Sequence, residues 1–419
     1  MQTMSSSLPT YGEAAAIVAE YARKLVDSSH EVERVELAAA RGRVLARAIT
    51  ADLDQPPFAR STRDGFACRA EEISSHAWVP VAGATHAGEI PSGPLPQHAA
   101  WEIMTGAPVP AGADAVVMIE HTERAADRIR LLDGRSVSPS DNIVAQGAQS
   151  RRGDELLPTG TVLGAGQIAL AASCGYPSVE VYARPRVAIL TTGDELVPVD
   201  ETPGPGQIRN SNGSMLEALV VGAGGDLWMT LRAADNAESL DAALSVSAEA
   251  DLLLISGGVS AGKYDLVEPA LQRLGATFHF TGVQMQPGKP LVFGEAPRAG
   301  LGKTLPFFGL PGNPISSAVT FLLFAAQVVR ALGGARETAP GFGMARLSRT
   351  TDRKGKPGLT RFLPGRYSWN EKSGSMDVAT VSWHGSGDLP AFARSNCCVV
   401  IPEDVGVIDE GAMVQILFL

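Results

Sequence analysis

The sequence predicts a multidomain α/β protein whose central domain is a doubly wound, parallel sheet. Three apolar, β-prone runs each end in a glycine-rich loop, and a helical pattern follows each loop. These segments are residues 187–195 (VAILTTGDE), 252–262 (LLLISGGVSAG) and 305–314 (LPFFGLPGNP). Such sheets bind ligands in the crevice at the carboxyl ends of their strands. Unblocked backbone N–H groups and the nearby acids Glu195 and Asp265 favour a phosphate-bearing substrate handled with a metal ion.

Composition limits the class of protein further. A length of 419 residues predicts three or four domains, and 45% apolar residues are enough for several cores. The net charge of −10 argues against a nucleic-acid partner, which needs a basic face. Four scattered cysteines do not suit a disulfide framework, no signal-peptide pattern is visible, and the most apolar helix, 315–329, is short for a membrane span. These features predict a cytoplasmic protein without a membrane partner.

The N-terminal part shows helical patterns on both sides of a β-rich segment. Thr10 and Glu13 form a capping-box pattern ahead of a helix that runs to about Asp27. Further helical patterns cover 35–49 and 164–174. Between them, short β-like runs separated by Gly and Pro predict strands at 78–82, 101–104, 115–119 and 128–132. We expect the helices that flank this β-rich insertion to pack as one unit.

Helices of the central domain are predicted at 211–222, 235–250, 263–274 and 314–330. The last has Asn313 as its expected N-cap and proline at its first position. Beyond it, strand patterns at 378–383, 397–401 and 413–418 predict a small C-terminal β-barrel-like domain. The predicted domains are a helical/β N-terminal domain (1–52 plus 150–183), a β-rich inserted domain (53–149), the α/β domain (184–333) and the C-terminal β domain (334–419).

The residues alone leave two interpretations open for each candidate site residue. The loop at 256–262 either binds phosphate or merely makes a tight turn, and Lys289 is either an anion ligand or a surface charge. Asp235 and Asp265 are either catalytic acids or helix N-caps. Glu195 is either a functional acid or a solvated loop acid, and Asp64 is either a functional acid or the acid of an Asp-Gly turn. Thr105 either binds substrate or caps a turn. Neither the P-loop order, the G-x-G-x-x-G order nor a zinc-binding histidine spacing is present.

Segments that span most of the chain are similar, in order, to the molybdopterin molybdenumtransferase family, which includes the C-terminal domain of gephyrin. They are 41–46 (RGRVLA), 57–67 (PFARSTRDGFA), 104–117 (MTGAPVPAGADAVV), 184–196 (RPRVAILTTGDEL), 206–212 (GQIRNSN), 256–265 (SGGVSAGKYD), 287–290 (PGKP) and 309–314 (GLPGNP). The resemblance implies an elongated homodimer of four-domain subunits. It also implies insertion of molybdate into adenylylated molybdopterin with Mg²⁺, releasing AMP and giving molybdenum cofactor.

By position, the resemblance also implies roles for single residues. The implied catalytic acids are Asp64, Glu195, Asp235 and Asp265, of which Asp265 and Glu195 are the expected metal ligands. The implied substrate-binding residues are Thr105, Ser256, Gly257, Gly258, Ser260, Lys289, Pro311, Gly312, Asn313 and Ser386. The resemblance further implies that Lys289 and Ser386 lie at the molybdate end of the pocket. Since the family's cleft lies between two subunits, Asp64 and Thr105 are expected to act in trans.

The chain departs from the family pattern at several positions. Gln286 stands where many members have a second lysine, and Pro364 where an arginine is often found. Gln149 and its neighbour Ala148 replace two acids, and Arg63 replaces a methionine. Arg361 and Arg366 are the candidates to compensate for the missing lysine.

The departures keep a second hypothesis open, a non-catalytic relative that acts as a dimeric scaffold or cofactor-binding module. A third hypothesis is an unrelated phosphate-sugar or nucleotide enzyme. The sequence does not distinguish molybdate from tungstate as the substrate.

Overall fold

The computed structural model describes residues 8–28, 30–74, 76–258, 266–298, 304–351 and 358–419. The predictions for Ser260 and Asp265, and for the first turn of the helix expected at 263–274, lie outside the described residues.

Helix α1 (Tyr11–Val26) begins with the predicted capping box. Thr10 Oγ1 accepts a hydrogen bond from the Glu13 backbone N–H, and the Thr10 N–H donates to the Glu13 carboxylate. Its apolar stripe, which includes Ala14 and Val18, is buried in the core of the central α/β domain. α1 therefore packs on the central domain and not with the helix after the insertion. The two segments that directly flank the insertion do share one core, in which Ala40, Leu45 and Ile49 pack with Leu163 and Ala171.

The helix predicted at 35–49 is wrong. The segment forms strand β1 (Val32–Glu36), a 3-10 turn and strand β2 (Ile49–Thr50). Gly42 has a φ of +76°, which ends any helix there, and the backbone N–H of Leu45 donates to the carbonyl of Thr161. The spacing of the apolar residues favoured a helix. Instead, hydrogen bonds to a segment distant in sequence satisfy the backbone N–H and C=O groups.

The inserted region is β-rich, as predicted. Its strands are β3 (Arg60–Ser61), β4 (Gly65–Cys68), β5 (Val79–Thr85), β6 (Ala100–Ile103), β7 (Ala115–Met118), β8 (Thr122–Ala125), β9 (Arg128–Leu131) and β10 (Ile143–Val144). Six of them form one sheet in the order β7-β4-β6-β5-β9-β8. The chain then returns through β11 (Glu155–Leu157), α2 (Ala165–Ser173) and β12 (Ser178–Tyr182), where β11 pairs with β2 and β12 pairs with β1.

The central domain is built on a six-stranded sheet. Its strands and flanking short strands are β13 (Arg186–Thr192), β14 (Leu196–Val197), β15 (Ile208–Arg209), β16 (Asp226–Ala233), β17 (Leu252–Ser256), β18 (Thr277–Thr281), β19 (Met285–Gln286), β20 (Val292–Pro297) and β21 (Thr304–Leu310). The sheet order is β16-β13-β17-β21-β20-β18. The first four strands are parallel, whereas β20 at the other side of the sheet is antiparallel to both of its neighbours, β21 and the edge strand β18. The prediction of a parallel sheet therefore holds for the part that carries the three glycine-rich loops.

Helices cover both faces of this sheet, which confirms the doubly wound fold. They are α3 (Ser211–Gly222), α4 (Ala237–Ser247), α5 (Val267–Arg273), α6 (Pro314–Thr320) and α7 (Ala326–Leu332), the last two joined by a π-helical turn (Phe321–Ala325). Val187 and Ile189 of β13 pack with α3, α6 and α7, while Ala188 and Leu190 pack with α4 and α5. The alternation follows from the two-residue period of a strand.

Among the described helices, the span Pro314–Leu332 is long and apolar enough to cross a membrane by length and composition. However, 83% of its apolar window is buried inside the protein. Its apolar character is therefore accounted for by packing in the core of the central domain.

The C-terminal region is a closed five-stranded barrel, as the β-barrel-like prediction expected. It comprises β22 (Phe342–Leu347), β23 (Thr360–Asn370), β24 (Ser375–Thr380), helix α8 (Leu389–Ala393), β25 (Cys397–Ile401) and β26 (Met413–Phe418). Strands run in the order β23-β24-β22-β26-β25, and β25 pairs back with β23. Strand β19 leaves the central domain and pairs in parallel with β23. The four domain boundaries themselves stay a prediction.

Candidate active site

Three strand-end loops of the central sheet meet in one cleft of about 620 Å³. They follow β13, β17 and β21, which are adjacent parallel strands. The predicted site residues on its wall are Glu195, Asp235, Ser256, Gly257, Gly258, Pro311, Gly312 and Asn313. The chain reverses its direction of winding between β13 and β17, so this sheet cleft lies at the topological switch point where open α/β sheets bind ligands.

The glycine-rich loops bring backbone close to backbone. Gly257 has a φ of +94°, and a Cβ atom there would lie 2.6 Å from the carbonyl oxygen of Thr192. A Cβ on Gly312 would lie 3.6 Å from the Gly257 Cα, so the loops after β17 and β21 touch. Glycine is therefore required at 257, and the loops present backbone rather than side chains to a ligand.

Asn212 joins the same two loops, a role that sequence reasoning missed. Its Nδ2 donates to Ser256 Oγ at 2.9 Å and to the Gly312 carbonyl at 2.7 Å. The sequence placed Asn212 only in the first turn of the helix predicted at 211–222. The residue that caps this helix is Asn210, whose side chain accepts from the Gly213 N–H. Although 206–212 was one of the matching segments, its partners are too distant in sequence for a local pattern to reveal this bridge.

Three acids lie close together at the mouth of the sheet cleft. The Asp235 backbone N–H donates to Asp194 Oδ1 at 3.0 Å. Partial burial raises the pKa of Asp235, and the carboxylates of Asp194 and, less strongly, Glu195 add to the rise. Asp235 does not cap the following helix, because the Asn236 side chain accepts from the Ser239 N–H. Asp194, which was not predicted as a site residue, thus belongs to the acidic group.

This acidic group fits a magnesium ion only if a ligand completes the site. Among the described residues, no set of three Asp, Glu, His or Cys side chains is placed to hold a metal. Mg²⁺ is usually bound through one or two carboxylates, with water and substrate phosphates filling the remaining positions. Glu195 and Asp235 beside loops that present amides suit that shared arrangement. The other expected ligand, Asp265, lies outside the described part of the chain.

A second cleft, of about 680 Å³, adjoins the first and shares Pro290, Pro311 and Asn313 with it. We call it the cation cleft, because Lys289 and Arg361 lie on its wall. The predicted residue Ser386 also lines it, and its carbonyl accepts from the Ile315 N–H at 2.9 Å. That bond ties the barrel to the first turn of α6, so two domains build the cation cleft.

Asp64 and Thr105 lie on the insertion rather than on the wall of either cleft. The Thr105 backbone N–H and hydroxyl both donate to Asp64 Oδ1, each at 2.7 Å. These two bonds hold the pKa of Asp64 below its ordinary value. Both side chains are exposed, and a Cβ on Gly65 would overlap the Val117 carbonyl, so the turn after Asp64 needs glycine. Within the single chain that the structure describes, this pair does not line the cleft that contains Glu195 and Asp235.

The fold and the two clefts define a class: multidomain proteins built around a doubly wound sheet, with a cleft at the carboxyl ends of its parallel strands. Residues 10–175 match the MoeA N-terminal region (domain I and II), residues 188–331 a probable molybdopterin binding domain, and residues 346–419 the MoeA C-terminal region (domain IV). The chain therefore belongs to the MoeA family, and the resemblance read from the sequence is confirmed.

Individual relatives agree over nearly the full length. The molybdopterin molybdenumtransferase of Nostoc sp. is 37% identical over 428 residues, covering 98% of this chain and 94% of that protein. The one from Haemophilus influenzae is 32% identical over 387 residues, covering 92% and 93%. A crystal structure of the molybdopterin biosynthesis MoeA protein from Pyrococcus horikoshii OT3 has a TM-score of 0.80 at 28% identity, covering 99% of this chain and all of that one.

Proposed function

We propose that this protein is a molybdopterin molybdenumtransferase, which inserts molybdate into adenylylated molybdopterin and releases AMP in the last step of molybdenum cofactor biosynthesis. The observation that carries the proposal is the junction of the two clefts. One is lined by amides and carboxylates, the other by cations, and they share Pro290, Pro311 and Asn313. A substrate that carries a diphosphate beside a reacting oxyanion needs both environments next to each other. Membership of the MoeA family supports the same assignment.

In this proposal, the diphosphate of the adenylylated pterin lies over the loops of Ser256, Gly257, Gly258, Pro311 and Gly312. Backbone N–H groups there donate to phosphate oxygens without the steric hindrance of side chains. Molybdate, the second substrate, lies in the cation cleft with Lys289 and Ser386, while Asn313 stands between the two. Holding both substrates side by side replaces a diffusional encounter with a fixed geometry, so no covalent protein nucleophile is needed.

Glu195 and Asp235 are proposed to hold Mg²⁺ together with the diphosphate, with Asp265 as a further expected ligand. When bound, Mg²⁺ supplies positive charge that stabilises the phosphate oxygens of the bond that breaks to release AMP. The raised pKa of Asp235 supports the proposal, since a nearby cation would relieve its repulsion from Asp194 and Glu195. Ser260 is proposed as a substrate ligand on its position in the family pattern alone.

We further propose a homodimer in which Asp64 and Thr105 of one subunit complete the sheet cleft of the other. The exposed Asp64 carboxylate, held by donors from its own insertion, supports a role at a surface that meets another subunit. We also propose a cytoplasmic location, which the four buried cysteines without disulfides support. The four domains of the sequence prediction remain part of this proposal.

The test is turnover by the purified protein with adenylylated molybdopterin, Mg²⁺ and molybdate. We expect AMP release coupled to molybdenum incorporation, both lost when Mg²⁺ is chelated. The Glu195→Gln variant is the control: it removes the charge of one proposed metal ligand with little change of side-chain shape, and AMP release should fall while thermal unfolding stays the same. Tight binding of the adenylylated pterin without AMP release under any condition would select the non-catalytic relative instead.

A further inference from the structure

The bridge that Asn212 makes between two loops has a defined chemical direction. Its Nδ2 lies 2.7 Å from the Gly312 carbonyl oxygen and 2.9 Å from Ser256 Oγ. A carbonyl oxygen can only accept a hydrogen bond, so the atom of Asn212 that faces Gly312 is the nitrogen of the amide. Each of the two hydrogens on that nitrogen is therefore used by one loop, and the amide has one possible orientation.

This orientation fixes the direction of the Ser256 hydroxyl. An amide nitrogen donates and does not accept, so Ser256 Oγ accepts from Asn212 and keeps its own hydrogen for another partner. Among the described residues, Ser256 Oγ donates to none. Ser256 lines the sheet cleft with only 2% of its surface exposed, and a buried donor without an acceptor is unfavourable. The hydrogen of this hydroxyl is thus left for a ligand.

The neighbouring backbone does not offer the same service. The Gly257 N–H donates to the carbonyl of Leu310, at the end of β21, at 3.2 Å. This amide is therefore used within the protein, between the same strand ends that Asn212 joins. At the end of β17, the Ser256 hydroxyl is the donor that remains for a ligand, and Asn212 sets its direction.

We propose that Asn212 is a positioning residue of the sheet cleft, which holds the loops after β17 and β21 together and makes the Ser256 hydroxyl a donor to an anionic oxygen of the ligand. A hydrogen bond to a charged oxygen is stronger than one between neutral groups, so the direction of this hydroxyl changes the affinity. Naming that oxygen as part of the diphosphate rests on the proposed function. The direction of the hydroxyl itself does not.

The test is equilibrium binding of adenylylated molybdopterin to the purified full-length protein. We expect Asn212→Ala and Ser256→Ala each to weaken binding by about 10-fold, in the range of a lost hydrogen bond to a charged group. Because Asn212 acts through Ser256, adding Asn212→Ala to Ser256→Ala should cost less than about a further threefold. A purely structural Asn212 would instead reduce the affinity by the same factor in both backgrounds, and that result would overturn the proposal.

The Asn212→Asp variant tests the direction of the hydroxyl. A carboxylate only accepts, so the Ser256 hydrogen would turn towards it and away from the ligand. The new negative charge also repels an anion, but it does so whether residue 256 is serine or alanine. We therefore expect Asn212→Asp to weaken binding by a larger factor in the protein with Ser256 than in the Ser256→Ala variant. Equal factors would contradict the proposal.

Asn396→Ala is the matched control, because Asn396 also makes a bridge of two hydrogen bonds. In the barrel, its Oδ1 accepts from the Tyr367 N–H at 2.9 Å and its Nδ2 donates to the Tyr367 carbonyl at 3.0 Å. This variant should unfold at a lower temperature and bind the pterin like the unaltered protein. Thermal unfolding of every variant separates lost binding from lost folding. An equal loss of affinity in Asn396→Ala and Asn212→Ala would count against a specific role for Asn212.

Turnover distinguishes this inference from the proposed function. If the pterin binds with the expected coupling but AMP is never released, the transferase assignment fails and the positioning role stands. If AMP is released and Asn212→Ala leaves kcat/KM unchanged, the positioning role fails and the transferase assignment stands. No binding of the pterin by the unaltered protein would overturn both.

Discussion

Asp235 at the sheet cleft and Asp64 on the insertion have pKa values shifted in opposite directions. Asp235 is exposed at the mouth of the cleft beside the carboxylates of Asp194 and Glu195, and partial desolvation together with these charges raises its pKa. Asp64 accepts two hydrogen bonds from Thr105, and its pKa is lowered. The sheet cleft thus holds surplus negative charge that a cation would relieve. The insertion instead holds one ionised carboxylate in a fixed orientation, as suits a group presented to another surface.

The largest expected effect comes from combining variants of the two regions. Asp64→Asn and Glu195→Gln should each reduce AMP release by about 100-fold or more, since each removes a charged group of the proposed site. If the site is shared, a mixed dimer of the two variants has one intact site, because each subunit supplies what the other lacks. Purified through two affinity tags, it should regain about half of the full activity, by analogy with other symmetric dimers.

The reciprocal dimer is the control. A subunit that carries both substitutions, paired with an unaltered subunit, should be inactive if the site is shared, because neither cleft is then complete. Half activity in this dimer and none in the first would mean that Asp64 and Glu195 act within one subunit.

The next effect concerns the backbone of the sheet cleft. Gly257→Ala should weaken binding of adenylylated molybdopterin by about 10-fold or more, since a left-handed alanine costs about 1–2 kcal/mol. In addition, its Cβ would lie 2.6 Å from the Thr192 carbonyl, so the loop must move. Equilibrium binding together with thermal unfolding measures both consequences.

Gly222→Ala is the matched control for that substitution. A Cβ at this glycine of α3 would meet nothing within 4 Å, so binding should be unchanged and the helix slightly more stable. Unchanged ligand binding by Gly257→Ala would contradict the role given to the loop backbone.

A smaller effect is expected from the charge of Asp194. Because the folded-state pKa of Asp235 is raised, its protonated form is favoured in the fold, and stability is lost as pH rises from the ordinary value of 3.8 through the raised value. Asp194→Asn should bring the Asp235 pKa down towards its ordinary value and so reduce this loss. A carboxyl NMR titration measures the change directly.

Asp241→Asn is the control, because it removes the same single negative charge from the domain at another place. Asp241 Oδ1 lies 2.7 Å from Arg273 Nη2, in an ion pair between α4 and α5. The variant should leave the Asp235 titration unaltered. A shift of equal size in both variants would mean that general charge, and not the neighbouring carboxylate, governs Asp235.

The smallest effect is expected from removing the Thr105 hydroxyl, which should shift the pKa of Asp64 only in part. Thr105→Val removes the hydroxyl donor but keeps the backbone N–H, so the Asp64 pKa should rise and yet stay below its ordinary value. The lowered pKa contributes stability above that ordinary value, which is lost as pH falls through the folded-state pKa, and the variant should lose part of it. The control is Thr122→Val on the same insertion, because the Thr122 hydroxyl donates to the Ile119 carbonyl and not to Asp64. This variant should leave the Asp64 titration unchanged.

The sequence predicted the sheet cleft well because its parts are local. In each case a glycine-rich loop directly follows a buried strand, so Glu195, Ser256 and Asn313 were found at strand ends. The failures have a physical cause as well. The apolar spacing of 35–49 suits a helix, but Gly42 and backbone pairing to a distant segment decide otherwise.

Side chains that act through distant partners were found only in part. Asn212 was matched within a motif, but its bridge between Ser256 and Gly312 depends on the packing of two loops. Asp194 was not chosen, because nothing local marks it as a neighbour of Asp235. Arg361 was a candidate of equal standing with Arg366 until the pairing of β19 with the barrel placed it beside Gln286.

The amino-acid sequence alone determined which segments form the strand-end loops, which residues can serve as acids and cations, and the family to which the chain belongs. Only the tertiary structure decided which of those groups are neighbours: α1 in the core of the central domain, Asp194 beside Asp235, and Arg361 in the cation cleft. Local patterns depend on spacing of a few residues along the chain. Charge and desolvation depend on distances through space, and folding sets those distances between residues far apart in sequence.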